Sequence, residues 1–194
     1  LDRGAVGGTR ITFVPDLSRF SMKKDSLNAD LVQVFRTRCF DVAACSSSSE
    51  LMVSFNGEQM PRSFREYFSL FDLHALGSVF DDKGKGFQLG VGVVESSSSN
   101  THVSFVNSIN TLRGGTHVNF ILDQIAKGVV AVMKKDASLP AVSPAFVRAH
   151  LVVFVNARIP NPTFDSQTKE TLTTSVDVLK DICVVSNELI QQVR

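Results

Sequence analysis

The chain has 194 residues, 43% of them hydrophobic, which is enough apolar matter for one sizeable core and predicts a single domain plus a short extension. A formal net charge of +1 excludes a globally basic nucleic-acid coat or an acidic tail, so any contact with DNA must be local. Three widely spaced cysteines, with no C-x-x-C pair, argue against a disulfide or zinc framework and fit a reducing compartment, and no apolar run reaches the roughly 20 residues needed to cross a bilayer.

In chain order, the first residues "LDRGAVGGTR" read as loop. Because the chain starts at Leu1 and not at Met, it is expected to be a piece of a longer polypeptide. Alternation of Ile11 and Phe13 with Arg10 and Thr12 predicts a strand over 9–14, ended by Pro15 and Asp16. A helix is predicted over 28–44, capped by Asn28, with Leu31, Phe35, Cys39 and Val42 on its inner face. Leu51, Val53 and Phe55 alternate through a second strand that leads into an Asn56-Gly57 turn. "SFREYFSLF" (63–71) predicts a short helix in which Tyr67 packs beside Phe64, Phe68 and Phe71, and "DDKGKG" (81–86) predicts a loop.

Phe87, Leu89, Val91 and Val93 alternate with Gln88, Gly90 and Gly92 in the clearest strand pattern of the chain. It is expected to form an antiparallel hairpin with a strand over 102–109. A long helix is predicted over 117–135, capped by Thr116, with Ile121, Ile125, Val129 and Val132 inward and Gly128 as a local cost. "SPAFVRAHL" predicts a short helix that starts at Pro144. "LVVFV" (151–155), apolar on both faces, predicts a central strand, and "DVLKDICVVSNELIQQVR" a final helix. The order indicates an α+β fold, a mixed β-sheet with helices packed on one face.

No self-contained active site is legible. "GKGFQLG" lacks the spacing of both the Walker loop and the dinucleotide fingerprint. The four histidines have no metal-ligand spacing, and no G-x-S-x-G elbow places a nucleophile. Two stretches stand apart. "SFVNSINTLRGGTH" runs from a strand through paired glycines into a helix N-terminus, a design that lets backbone approach another segment closely. An ordinary strand-to-helix turn also fits it. "NPTFDSQTKETL" puts Gln167, Thr168 and Lys169 on a short polar loop after the apolar strand.

These stretches, as "SFVNSINTLRGGTHVNFILDQI" and "HLVVFVNARIPNPTFDSQTKETL", resemble the transducer domain of eukaryotic type IIA DNA topoisomerases. "GTRITFVPDLSRF" and "VSFNGEQMP" agree in order and spacing, and bacterial gyrase B is similar in the GGTH and QTK motifs. The resemblance runs from about residue 8 to 173. It implies a left-handed βαβ crossover, a junction to an ATP-binding domain over 1–8, a transducer domain over 9–173, and a C-terminal helix over 174–194 leading towards a DNA-cleavage region. It further implies that Gln167, Thr168 and Lys169 reach the γ-phosphate of ATP, with Mg2+, held mainly by the neighbouring domain. Asp165 and Glu170 would then hold that loop. A basic loop of the family that senses DNA matches Lys134 and Lys135 only. The implied whole is a nuclear or organellar homodimer that passes double-stranded DNA, without membrane attachment. A stand-alone DNA-binding module using local lysine loops is the alternative, and a self-sufficient nucleotide enzyme a third.

Overall fold

The computed structural model describes residues 8–22, 27–46, 51–73, 76–84, 86–95 and 102–193. The chain divides into two units, Leu1–Phe35 and Arg36–Arg194.

In the first unit the predicted strand over 9–14 is not formed. Ile11 and Phe13 are 83% and 76% exposed. Alternation supplies a strand's side-chain pattern, but a strand exists only where its backbone finds a ladder partner, and this segment has none among the described residues. A short 3-10 helix, Leu17–Phe20, follows, with its N-terminus capped by the Asp16 carboxylate, which accepts from the Ser18 N–H at 3.2 Å. Helix α1 spans Ala29–Cys45, and Asn28 caps it as expected by accepting from the Leu31 N–H at 2.8 Å. Its expected inner face is not the buried one: Phe35 and Val42 are exposed, whereas Asp41, Ala43, Ala44 and Cys45 are buried.

The second unit takes in α1 from Arg36 onward and continues with a two-stranded hairpin, β1 (Ser54–Phe55) and β2 (Glu58–Gln59). Asn56 and Gly57 both take positive φ, 50° and 83°, the combination that makes Asn-Gly the strongest short hairpin signal. Helix α2, Phe64–Ser69, starts where the Ser63 hydroxyl accepts from the Glu66 N–H.

The main sheet has the order β3-β4-β7-β5-β6. Strand β3 (Ser78–Gly84) occupies part of the stretch expected as loop. Asp82 and Lys83 are exposed on the sheet edge, where Asp82 meets Arg65 and Lys83 meets Glu188. Charge suits an edge strand and disguises it as loop. Strand β4 is Phe87–Val93 and β7 is Leu151–Ala157. Strand β5 (His102–Val106) is followed by Asn107 and Ser108 at positive φ and the two-residue β6 (Ile109–Asn110). The expected β4–β5 hairpin is overturned: β7 lies between them, antiparallel to β4 and parallel to β5. The residues proposed as its connection, 96–100, lie outside those described.

The β5–β7 link is a crossover through α3 (Thr116–Met133) and α4 (Pro144–Ala149). Helix α3 buries Ile121, Ile125 and Val129 against Leu89, Val91, Val153, Val155 and Ala157 of the sheet. The opposite sheet face carries an aromatic layer of Phe64, Tyr67, Phe68, Phe105 and Phe154 with Ala44 and Cys45. Burial pushes the Tyr67 hydroxyl up to about 12, with the Asp41 carboxylate adding to it, in keeping with a packing role.

The C-terminal stretch is two short helices rather than one, α5 (Val176–Leu179) and α6 (Asn187–Gln192). The break lies where the Ser186 hydroxyl accepts from the Leu189 N–H and starts a new helix. Leu179, Cys183 and Leu189 are fully buried in the main core. Gly128 is the seat for α6: a Cβ there would fall 2.6 Å from Ile190 Cδ1. No helix of the described residues is long and apolar enough to cross a membrane.

Candidate functional site

The two stretches singled out in the sequence meet. Residues 163–173 fold back on themselves: the Thr173 N–H donates to Thr163 O at 2.9 Å, Phe164 bridges Leu172, and the Asp165 N–H donates to Thr171 O at 3.2 Å. The tip is a turn closed by the Lys169 N–H donating to Ser166 O at 3.2 Å. Lys169 takes φ +58° there, a left-handed conformation uncommon for a residue with a side chain. Hydrogen bonds from Thr171 and Ser166 hold the Asp165 carboxyl below the usual carboxylate range, so it stays ionised at the loop's base.

Leu172 is also the rung that joins this loop to the start of α3. Its N–H donates to Gly114 O and its carbonyl accepts from the Thr116 N–H, both at 3.0 Å. Two residues back, Glu170 O accepts from the Arg113 N–H at 3.0 Å, and the Arg113 guanidinium lies 3.2 Å from the Glu170 carboxylate. The glycine pair is what permits this contact. Gly115 has φ +133°, and a Cβ on it would stand 2.2 Å from Leu172 O. Thr116 does not cap α3 as expected; its hydroxyl donates to Thr174 O at 2.7 Å, and Gly115 holds the N-cap position without a side-chain bond.

Gln167 and Thr168 are exposed at the tip, and Lys169 is half-buried, its Nζ 5.9 Å from the centroid of the Phe164 ring. The three side chains offer amide, hydroxyl and ammonium donors, a set that suits phosphate oxygens. Among the described residues no three His, Cys, Asp or Glu side chains come together as a metal site.

Lys134 and Lys135 stand apart from this loop. They are exposed and follow Met133 at the other end of α3, about 27 Å away along an 18-residue helix. Asp136 shapes the turn after them by accepting from the Ser138 N–H at 3.1 Å.

Beneath the loop junction lies a buried polar cluster around His117, which the sequence suggests packs at the edge of the core or caps backbone and which the structure buries completely. His117 is 0% exposed, with Nε2 3.5 Å from Thr111 Oγ1 and Nδ1 unpartnered. Thr111 donates to Ser104 O at 2.9 Å. Burial, aided by nearby His102, pushes His117 down to about 4, so it is neutral at physiological pH. Its sequence signal is its place at the start of α3, four residues before inward-facing Ile121.

Comparison with known proteins identifies the family. Residues 62–193 match the family model described as DNA gyrase B. The chain is 39% identical over 181 residues to a mitochondrial DNA topoisomerase 2 of Dictyostelium discoideum, covering 86% of this chain and 14% of that protein. It is 39% identical over 194 residues to DNA topoisomerase 2-alpha of Sus scrofa, covering 94% and 12%. The crystal structure of the ATPase and transducer domains of DNA topoisomerase II from Balamuthia mandrillaris superposes with a TM-score of 0.79 at 45% identity, covering 92% of this chain and 44% of that one. The ATPase region of Saccharomyces cerevisiae topoisomerase II gives 0.77 at 35% identity, covering 92% and 45%. The chain thus spans only a small part of the curated relatives it matches, and less than half of the solved chains. The family match extends over more than half of the 194 residues, and the chain belongs to the DNA gyrase B family.

Proposed function

We propose that this chain is the transducer module of an ATP-dependent type II DNA topoisomerase, coupling ATP binding and hydrolysis to clamp closure and passage of a DNA duplex. The observation that carries the reading is the fixed seating of the Gln167-Thr168-Lys169 loop on the N-terminus of α3. A loop held by six backbone hydrogen bonds, counting both its own closure and its junction with α3, can present a lysine to a ligand and feel the ligand leave.

Bound ATP presents a terminal phosphate whose anionic oxygens need hydrogen-bond and cationic partners through the reaction. Lys169 carries its positive charge on a long stem and needs only its tip at that phosphate. Gln167 adds a neutral donor and Thr168 a hydroxyl. Contacts made to one nucleotide state and not the other bias a two-state arrangement, on the scale of about 1–3 kcal/mol of coupling between sites. Nucleotide and Mg2+ are held mainly by another domain of the same polypeptide, in a homodimer working on nuclear or organellar double-stranded DNA. The kinship to enzymes named DNA topoisomerase 2, one of them mitochondrial, supports this.

The test is steady-state ATP hydrolysis by the 194-residue chain and by the full-length protein with Lys169 intact or changed to Ala. Turnover only by the full-length protein, with Lys169→Ala slowing it at least tenfold and up to about 10²–10³-fold, supports the reading. An unchanged rate in Lys169→Ala removes it. Exposed Lys134 and Lys135 favour the second reading, DNA binding without nucleotide coupling. DNA retention by the isolated chain with a steep salt dependence, joined to a silent Lys169→Ala, would select it.

A further inference from the structure

The lysine at the loop tip owes its direction to a neighbour that lies on a different segment. Lys169 sits at φ +58°, next to Glu170, and Glu170 is gripped twice by one residue. The Arg113 N–H donates to its carbonyl at 3.0 Å, and the Arg113 Nε lies 3.2 Å from its Oε2. The grip is placed by the chain around it. Gly115, closed to any side chain by Leu172, sets the spacing between the two segments. Thr116, donating to Thr174 O, fixes the far side of the same junction.

From this we infer that Arg113 is a positioning residue for Lys169. It acts through Glu170 and does not itself touch the nucleotide. Holding both the backbone and the carboxylate of Glu170 fixes the residue next to the lysine, which restricts the arc that the ammonium group can sweep. The guanidinium is 73% exposed and the Glu170 side chain 33%, so the pair adds little to global stability and its removal leaves the fold intact. Its effect is local. A small misplacement of a group aimed at a reacting phosphate is enough to lower the rate of the chemical step.

The inference rests on reading the loop as a phosphate contact, and the experiment separates the two. In the full-length protein, Arg113→Ala, Glu170→Ala and the swap Arg113→Glu with Glu170→Arg are compared with the parent. Two quantities are read. The first is hydrogen exchange of peptides spanning 163–174 without nucleotide, and the second is kcat and KM for ATP. Each single variant is expected to speed exchange of the loop about two- to fivefold and to lower kcat by a similar factor with a smaller change in KM, and the swap to restore both. Nucleotide-free exchange is a property that a residue acting only by direct contact with phosphate would not alter. Unchanged exchange in Arg113→Ala, or a swap that restores neither quantity, overturns the assignment. Failure of the underlying phosphate reading shows differently, as an unchanged turnover in Lys169→Ala.

Discussion

Gly115 and Leu172 approach so closely that the backbone of one occupies the space where a side chain of the other would begin. A Cβ on Gly115 would lie 2.2 Å from Leu172 O and 2.5 Å from Leu172 N. Neither atom belongs to a flexible side chain that could swing aside. The loop and the helix start are therefore fitted to each other through main chain, and the fit depends on one hydrogen atom in place of a methyl group.

Gly115→Ala is expected to separate the two segments. Overpacking of this kind costs about 1–3 kcal/mol, and the positive φ adds strain of a similar order. Denaturant unfolding measures the loss. Faster exchange of the Thr116 and Leu172 amides, whose bonds span the junction, locates it. A variant with parental stability and exchange would contradict the close fit.

Stability should fall with acid through His117. Its folded value, about 4, lies below the unfolded value near 6.5, so between those limits the unfolded chain binds a proton that the folded chain refuses. The contribution is intact above pH 6.5 and is lost as pH falls towards 4, a change of about 3 kcal/mol. Asp41, raised by its own burial, works in the opposite sense at the acid end, so the measurement is a difference between proteins. Unfolding free energies of parent and His117→Leu across pH 4–7 should converge in slope above 6.5 and diverge below it. Parallel curves would show that His117 does not titrate as a buried group.

Gln124 ties the C-terminal segment to α3 with both ends of its amide. It donates to Cys183 O at 2.8 Å and accepts from the Val185 N–H at 3.2 Å. Gln124→Ala leaves two main-chain groups without partners and is expected to cost about 1–3 kcal/mol. Thermal or denaturant unfolding checks the size, and exchange at 183–190 should rise before that of β7.

If Lys134 and Lys135 meet phosphates of DNA, changing both to Ala in the full-length protein should lower the slope of log affinity against log salt by about 1.8. Equilibrium binding to a duplex across a range of salt concentrations provides the slope. An identical slope in parent and variant would confine the two lysines to the end of the helix, where cations suit the macrodipole without any ligand.

Patterns repeated over several turns or rungs were readable from the residues alone. Ile121, Ile125 and Val129 announced the buried face of α3, the apolar run from Leu151 announced the central strand, and Asn56-Gly57 announced a hairpin. What escaped depends on partners distant in sequence. The parallel pairing of β5 with β7 leaves no local mark, because a strand's residues do not name their neighbour. Strand β3 hid behind the charges that suit an edge. The exposed Phe35 and Val42 on α1 show that a helical stripe predicts a face, not its burial. At the site, the tip residues were legible as a polar loop and the glycine pair as a point of close approach. That the thing approached is Leu172, from the other singled-out stretch, required coordinates.

Helix α3 has a mechanical consequence beyond packing. One end is fastened to the loop that carries Lys169, and the other ends at Lys134 and Lys135. A stiff rod about 27 Å long, tilted by about 10° around its fastened end, carries its far tip through roughly 5 Å. Because the rod is buried against the sheet and against Ile190 of α6, such a tilt would have to carry those neighbours with it.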